Sequence, residues 1–471
     1  MNIVEEIKKR RHGSLIAIKD GDLQLSFDDL FKAVAEVSAQ LQGHSAIADN
    51  ELPRIGVKFP NGLGYIVVAL AVLESRACFV PIPDELTEAE QQTLISETAL
   101  HGVISASPEG NIQLPCDLGT ALLESSPHVL PGFPQDEFNA IGPAFIRFSS
   151  GTTAASKGVI LSHQSLFDRI HAANQGLEIQ AGENVLWTLP MAHHFAVSIV
   201  LYLYFGATTV LETSHQPEQI YLAAKASGSH ILYGSPFHFA QLAQCKSAEP
   251  LPELRLAMST ASALSEGVAQ AFEERFNLPL TQALGIIEVG LPVMNLLHAH
   301  DQPAALGQVL SDYEWKSQAH GNDPNIGELL LRGPGMFDAY LSPWKMRAEL
   351  CPNGWFATGD LVELTDNNTL IMRGRSKSVI NVGGMKVFPE EIEAVLNEHP
   401  DIEKSRVTAG HHPTLGSYPS AEIIVAENKE LPSSADLRSH CAARLAPYKL
   451  PVQFKPVDQI ELTASGKVKR H

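Results

Sequence analysis

Cysteine is scarce and scattered. Cys78, Cys116, Cys245, Cys351 and Cys441 are the five in 471 residues, and no two form a CxxC pair. That spacing argues against a disulfide scaffold or a cysteine-held zinc site, and it fits a reducing compartment. Basic charge is short as well: 34 Lys plus Arg against 53 Asp plus Glu give a net charge of -19. A nucleic-acid binder needs a basic surface to displace counterions from phosphates, so no nucleic-acid partner is expected. With 34 Gly and 30 Pro, the chain has too little of either for a fibrous or low-complexity protein. Long apolar runs are missing. The most apolar stretch, AVSIVLYLYFGATTVL (196–211), falls short of the roughly 20 residues that span a bilayer, and Gly206 and two threonines interrupt it. The start, MNIVEEIKKRRHGSL, lacks the apolar core of a signal peptide, and its KKRR run reads as a solvated helix face. A soluble, cytoplasmic protein with no membrane insertion is expected.

Against these absences, hydrophobic residues make up 44% of the chain, ample for a packed core. Helical periodicity alternates with short β-branched runs. LSFDDLFKAVAEVSAQLQ has apolar residues near three- and four-residue spacing. IGVKF then reads as a strand, GYIVVALAVLESR as a buried helix and CFVPI as a strand. HGVISA, ENVLWTL, TTVLE and SHILYGS continue the alternation. The fold class expected is α/β, a large amino-terminal domain with mainly parallel sheets. Past Gly327 the runs IGELLLRG, GWFATGDLVEL and TLIMRGR suggest a short antiparallel unit. The tail alternates strand, helix, strand, strand and helix, enough for a small α+β domain. The division expected is a large domain over 1–376 and a small domain over 377–471, with the joint in RGRSKS.

Several segments carry chemistry. FSSGTTAASKGVILSH (148–163) follows a strand-like run, AFIRF. Ser149, Ser150, Thr152 and Thr153 offer hydroxyls, Gly151 admits close backbone approach and Lys157 adds a cation, so the loop can cradle phosphates. It is not a Walker A loop, because no second glycine precedes Lys157 and Gly158 follows it. Taken alone, an ordinary polar turn explains it equally well. Downstream come QALGIIEVG (282–290), GWFATGD (354–360), RGRSKSVINVGGMKVFPEEIE (373–393) and TASGKVKR (463–470).

In this order, these segments resemble the signature motifs of the adenylate-forming superfamily: acyl- and aryl-CoA synthetases, peptide-synthetase adenylation domains and firefly-type luciferases. The resemblance implies that ATP and a carboxylic acid form acyl-AMP and pyrophosphate, after which the acyl group passes to the thiol of CoA or of a phosphopantetheine carrier. It implies roles residue by residue. Lys467 matches the catalytic lysine that bridges carboxylate and phosphate oxygens, and Glu288 the Mg²⁺ ligand. Asp360 matches the carboxylate that accepts the ribose hydroxyls, Arg375 a cation near ribose and phosphate, and Leu284 the position that covers adenine. Lys377 matches the hinge of the small domain, and Gly383 and Gly384 one wall of the pantetheine tunnel. Singly, Lys467 would read as a solvated tail, Asp360 as a turn residue and Glu288 as a helix-start carboxylate.

By the same resemblance, LPMAHHFAVS (189–198) forms a wall of the acid pocket. His193 matches a position that gates the acid and pantetheine sites, and His194 lies beside it. Amino-acid-activating members carry an Asp where this chain has Ala196, and a buried ammonium without a counter-charge is costly. The acid is therefore expected to be aryl or acyl, not an α-amino acid. Tyr233, Gly234, Ser235, Ser262, Gly285 and Ile286 complete a mostly apolar lining. The insertion typical of fatty-acyl-AMP ligases is absent, and no carrier domain follows Lys467, so a free-standing enzyme is expected, with an acyl or aryl carrier protein as one candidate acceptor. The paired histidines lack ligand spacing for a structural metal. The chain departs from the pattern at Ala154, Ser156, Leu284, Ile287 (where the family has a phosphate-binding Thr) and TASA (260–263). These departures keep open a second reading, a non-catalytic or repurposed nucleotide- or acyl-binding protein on the same fold.

Overall fold

A computed structural model describes residues 1–126, 128, 132–148, 157–214, 216–245, 249–319, 325–376, 378–382, 385–412, 416–461 and 468. The chain forms two compact units, Met1–Glu314 with Arg332–Phe356, and Trp315–Leu331 with Ala357–His471.

The first unit is built on two nine-stranded sheets. One has a parallel centre of Ile16–Asp20, Thr208–Leu211, Asn184–Trp187, Ile231–Gly234, Leu256–Ser259 and Leu280–Ile286, with antiparallel strands at both edges. In the other, Gly102–Ala106, Arg54–Lys58, Cys78–Pro81 and Pro143–Phe148 run parallel, and Gly158–Ser162 returns antiparallel to Pro143–Phe148. These strands are short and rich in Val, Ile and Leu, as expected where both faces are covered. The expected strands are present with shifts of a residue or two at their ends. In the helix Leu63–Glu74 every residue from Leu63 to Leu73 except Gly64 is buried, which explains why its sequence shows no polar face. The helix Phe27–Gln42 is amphipathic and capped by Ser26, whose hydroxyl accepts from Asp29 N–H at 3.1 Å. The apolar stretch at 196–211 is a helix, Ile199–Phe205, turned by Gly206 at φ +80° into the strand Thr208–Leu211. Among the described residues, no helix is long and apolar enough to cross a membrane.

The second unit opens with a four-stranded sheet, Glu314–Ala319, Ile326–Arg332, Phe356–Leu364 and Leu370–Arg375 in spatial order, the last two pairing antiparallel. A hairpin, Ile380–Val382 with Met385–Val387, follows, and then a three-stranded sheet of Ile402–His412, Gly416–Val425 and Gln453–Pro456. The helices Pro389–Leu396 and Ser434–Ala442 cover that sheet, burying Ile392, Leu396, Leu437 and Cys441 against Val407 and Ile423. The α/β class, with a large amino-terminal domain of parallel sheets and a small carboxy-terminal one, is as expected.

Candidate active site

In the first unit, Glu288 sits in the turn between the strands Leu280–Ile286 and Gly290–Met294. Its backbone carbonyl accepts from Phe337 N–H at 2.8 Å, and its half-buried carboxylate Oε1 accepts from the Tyr340 hydroxyl at 3.0 Å. Burial first, then the Glu288 carboxylate, pushes the Tyr340 hydroxyl well above its usual range, so it stays a donor. Lys157, exposed and directly after the hydroxyl-rich segment in sequence, places Nζ 4.7 Å from the Tyr340 ring centroid. Two motifs far apart in sequence thus meet on one tyrosine. The strand pairing explains it: Tyr340 lies opposite Val159 on the strand that Lys157 leads into.

One buried arginine holds this arrangement. Arg169, 2% exposed, donates Nε and Nη2 to Gly335 O at 2.9 and 2.6 Å and Nη1 to Ile287 O at 3.0 Å. It ties the Glu288 turn to the Gly335 turn, and burial lowers its pKa to about 10. Gly335 has φ +67° and lies against the Arg169 backbone, leaving no room for a Cβ. Arg147, at the end of the strand Pro143–Phe148, donates Nη1 to His193 O at 2.6 Å.

The wall expected for the acid is also ordered. Tyr233, buried, stacks on Trp187 with centroids 5.2 Å apart and planes at 20°, and His194 meets Trp187 edge-on at 5.6 Å. Ala196 is 1% exposed, so no side chain there offers a counter-charge. Ser235 Oγ lies 2.9 Å from His238 Nδ1 and starts the helix Pro236–Ala243 after Gly234. Ser262 and Ile286 are half-buried, Gly285 is exposed, and Leu284 is half-buried opposite Val293. Burial, with the Arg147 charge, lowers the His193 pKa to about 3, so its ring is neutral. A cavity of about 150 Å³ opens beside this wall, between Asn61, Glu85, Trp187, Pro190, Met191 and Glu212. A larger one, about 460 Å³, lies at Arg54, His101 and Phe133 and includes none of the motif residues. Chemistry, not size, identifies the site.

In the second unit, Asp360 and Arg375 face each other across antiparallel strands, and Arg375 Nε lies 2.6 Å from Asp360 Oδ1. Asp360 is 0% exposed, its N–H bonds to Thr358 Oγ1 at 3.0 Å, and Gly359 before it takes φ +75°. The carboxylate and the cation expected at the nucleotide are therefore one ion pair. Ser149, Ser150, Gly151, Thr152, Thr153, Ala154, Ser156, Lys377, Gly383, Gly384 and Lys467 lie outside the described residues.

Comparison with known proteins decides the family. Residues 5–341 match the model of the AMP-binding enzyme family, and residues 391–467 that of the AMP-binding enzyme C-terminal domain. The chain belongs to the adenylate-forming superfamily of AMP-binding enzymes. A protein named 4-coumarate–CoA ligase-like 4, from Oryza sativa subsp. japonica, is 26% identical over 100% of this chain and 92% of its own length. A 4-chlorobenzoate–CoA ligase from Arthrobacter sp is 26% identical over 95% of this chain and 89% of its own. The crystal structure of ATP-bound MatB from Rhodopseudomonas palustris aligns with a TM-score of 0.83 at 20% identity, covering 100% of this chain and 97% of that one. That likeness speaks to the fold.

Within the family frame, sequence reasoning missed Arg147, Arg169 and Tyr340. Each left a signal. Arg147 interrupts an otherwise apolar strand, AFIRF, and Arg169 falls on the buried stripe with Leu166, Ile170 and Ala173. Buried arginines without a structural partner in sequence are worth pursuing. Tyr340 had no such mark, because its place depends on an antiparallel pairing between residues distant in the chain.

Proposed function

We propose that this AMP-binding enzyme is an ATP-dependent acid–thiol ligase acting on an aryl or acyl carboxylic acid. The observation that carries the reading is the meeting of Glu288, Tyr340 and Lys157, a carboxylate and a cation gathered at the end of the hydroxyl-rich loop. In the first half-reaction a carboxylate oxygen bonds to the α-phosphorus of ATP as the bond to the β-phosphate bridging oxygen breaks. Pyrophosphate leaves with the electron pair, and no proton need move. Two anions approach, so donors and cations must be fixed where charge develops. Lys157, Ser149, Ser150, Gly151, Thr152 and Thr153 would hold the departing pyrophosphate, Lys467 would bridge the reacting oxygens and Asp360 would accept the ribose hydroxyls. Leu284 would cover adenine. Glu288 fits Mg²⁺: it is a hard oxygen ligand oriented by a phenol, and the ion's other ligands would be phosphates and water. Mg²⁺, when bound, neutralises phosphate charge.

In the second half-reaction a thiol sulfur bonds to the acyl carbon as the bond to the AMP oxygen breaks; AMP leaves with the electron pair and the thiol proton passes to solvent. CoA is the acceptor favoured by the names of the relatives; a carrier-protein phosphopantetheine is the other candidate. Lys377 would be the hinge between half-reactions, Gly383 and Gly384 the tunnel wall, and the small domain would begin at 377. Buried Ala196, with Tyr233 stacked on Trp187, supports an aryl or acyl acid over an α-amino acid.

The test is pyrophosphate release with ATP, Mg²⁺ and a panel of aryl, short-, medium- and long-chain acids, with hydroxylamine trapping acyl-AMP. Release and a hydroxamate with one group of acids are expected. A folded, ATP-binding protein silent across the panel would favour the non-catalytic reading.

A further inference from the structure

The adenylation chemistry leaves Arg147 without a task. On its strand Phe145 stacks on Phe79 with centroids 5.5 Å apart, and strand alternation puts Arg147 on that same face. Phe195 and Tyr65 continue the face, with Phe79–Phe195 and Tyr65–Phe195 centroids 5.5 and 5.8 Å apart. An aromatic floor is a costly place for a guanidinium. Burial lowers the Arg147 pKa to about 10, the charge of Glu288 opposes that fall, and the group remains a cation at neutral pH.

Its hydrogen bonding is incomplete. Nη1 is fixed on His193 O, but Nε is buried with no partner among the described residues. Two neighbouring atoms share that condition, the hydroxyl of Tyr65, itself 1% exposed, and His193 Nε2. Glu85 Oε2, at 3.9 Å from His193 Nε2, is beyond hydrogen-bond reach. All three atoms can donate, and buried donors left over by the fold point to an electron-rich group that binds there. Arg147 also directly precedes the phosphate-cradling segment, and Ile287 supplies no hydroxyl beside Glu288.

We propose that Arg147 is a further catalytic residue of the reaction proposed above: its guanidinium, anchored on His193 and near Glu288, binds the oxyanions where carboxylate meets α-phosphate, and makes up for the hydroxyl absent at Ile287. The step is the one already balanced; Arg147 donates hydrogen bonds and transfers no proton.

The experiment compares wild type, Arg147→Met, Arg147→Lys, Ile287→Thr and the Arg147→Met/Ile287→Thr double variant. It measures pyrophosphate release with the best acid of the panel and Mg²⁺–ATP binding by calorimetry. Arg147→Met is expected to lower kcat about 100-fold while the ATP Kd moves less than about threefold, the pattern of a lost transition-state donor. Ile287→Thr should recover about tenfold in that background. Arg147→Lys should fall between, and carries the test if Arg147→Met does not fold. A kcat within about threefold of wild type in Arg147→Met, or in Arg147→Lys where only that variant folds, overturns the inference. So does equal loss of binding and kcat with no recovery by Ile287→Thr. An active wild type beside an unaffected Arg147→Met sinks this inference alone; a silent wild type sinks the ligase reading and Arg147's role with it.

Discussion

A single phenol orients the carboxylate proposed to hold Mg²⁺. Tyr340 O–H to Glu288 Oε1, at 3.0 Å, is a hydrogen bond to an anion, worth about 1.5–3 kcal/mol when half-buried. The same ring carries the Lys157 ammonium. Removing the hydroxyl leaves the ring and the cation contact but frees the carboxylate to rotate. Tyr340→Phe is therefore expected to raise the Mg²⁺ concentration for half-maximal pyrophosphate release about tenfold, with ATP binding in the absence of metal unchanged. A Mg²⁺ titration of both proteins checks this. A carboxylate already held by other groups would give superimposable curves. Asp360 is the opposite case at this scale: fully buried, it has Arg375 as its counter-charge.

Elements of the first unit are joined by histidines that must stay neutral. His163 opens the helix His163–Leu177, and its Nδ1 accepts the Ile3 N–H at 3.2 Å, docking the helix Ile3–Lys9. His101 Nδ1 accepts the Arg54 N–H at 3.0 Å at the head of a central strand. Burial, then a neighbouring positive charge, lowers both pKa values to about 4. The unfolded chain, with histidine near 6.5, binds more protons than the folded one between about pH 6.5 and 4. Stability is thus full above that window and is lost as pH falls through it. Urea midpoints at pH 7, 5 and 4 should fall accordingly. His163→Gln, which does not titrate, should fall less; parallel slopes would remove His163 from the account. Strands and helices were legible because period-2 and period-3.6 patterns are local, as in the Ser26-capped helix and the ENVLWTL strand. The pairing of Tyr340 with Val159, and the gathering of Arg147, His193 and Tyr65, were not, because they follow from sheet order. The motif residues were readable as a family pattern, whereas the groups that orient them needed coordinates.

At the scale of the molecule, two half-reactions ask different things of one set of residues. Adenylation needs cations near the α-phosphate, and thiol attack needs access to the acyl carbon. A chain that runs both must change arrangement between them, and the proposed hinge at Lys377 supplies the point of change. Proline at a hinge fixes φ near -65° and removes the N–H, so it biases the chain to one arrangement without touching either set of reacting groups. Lys377→Pro should keep hydroxylamine-trapped acyl-AMP within about threefold of wild type while thioester formation with CoA falls at least about tenfold. Both rates are measured on one preparation with the acid the panel identifies. Equal loss of both would mean that the substitution damages adenylation itself, and equal retention would move the hinge away from Lys377.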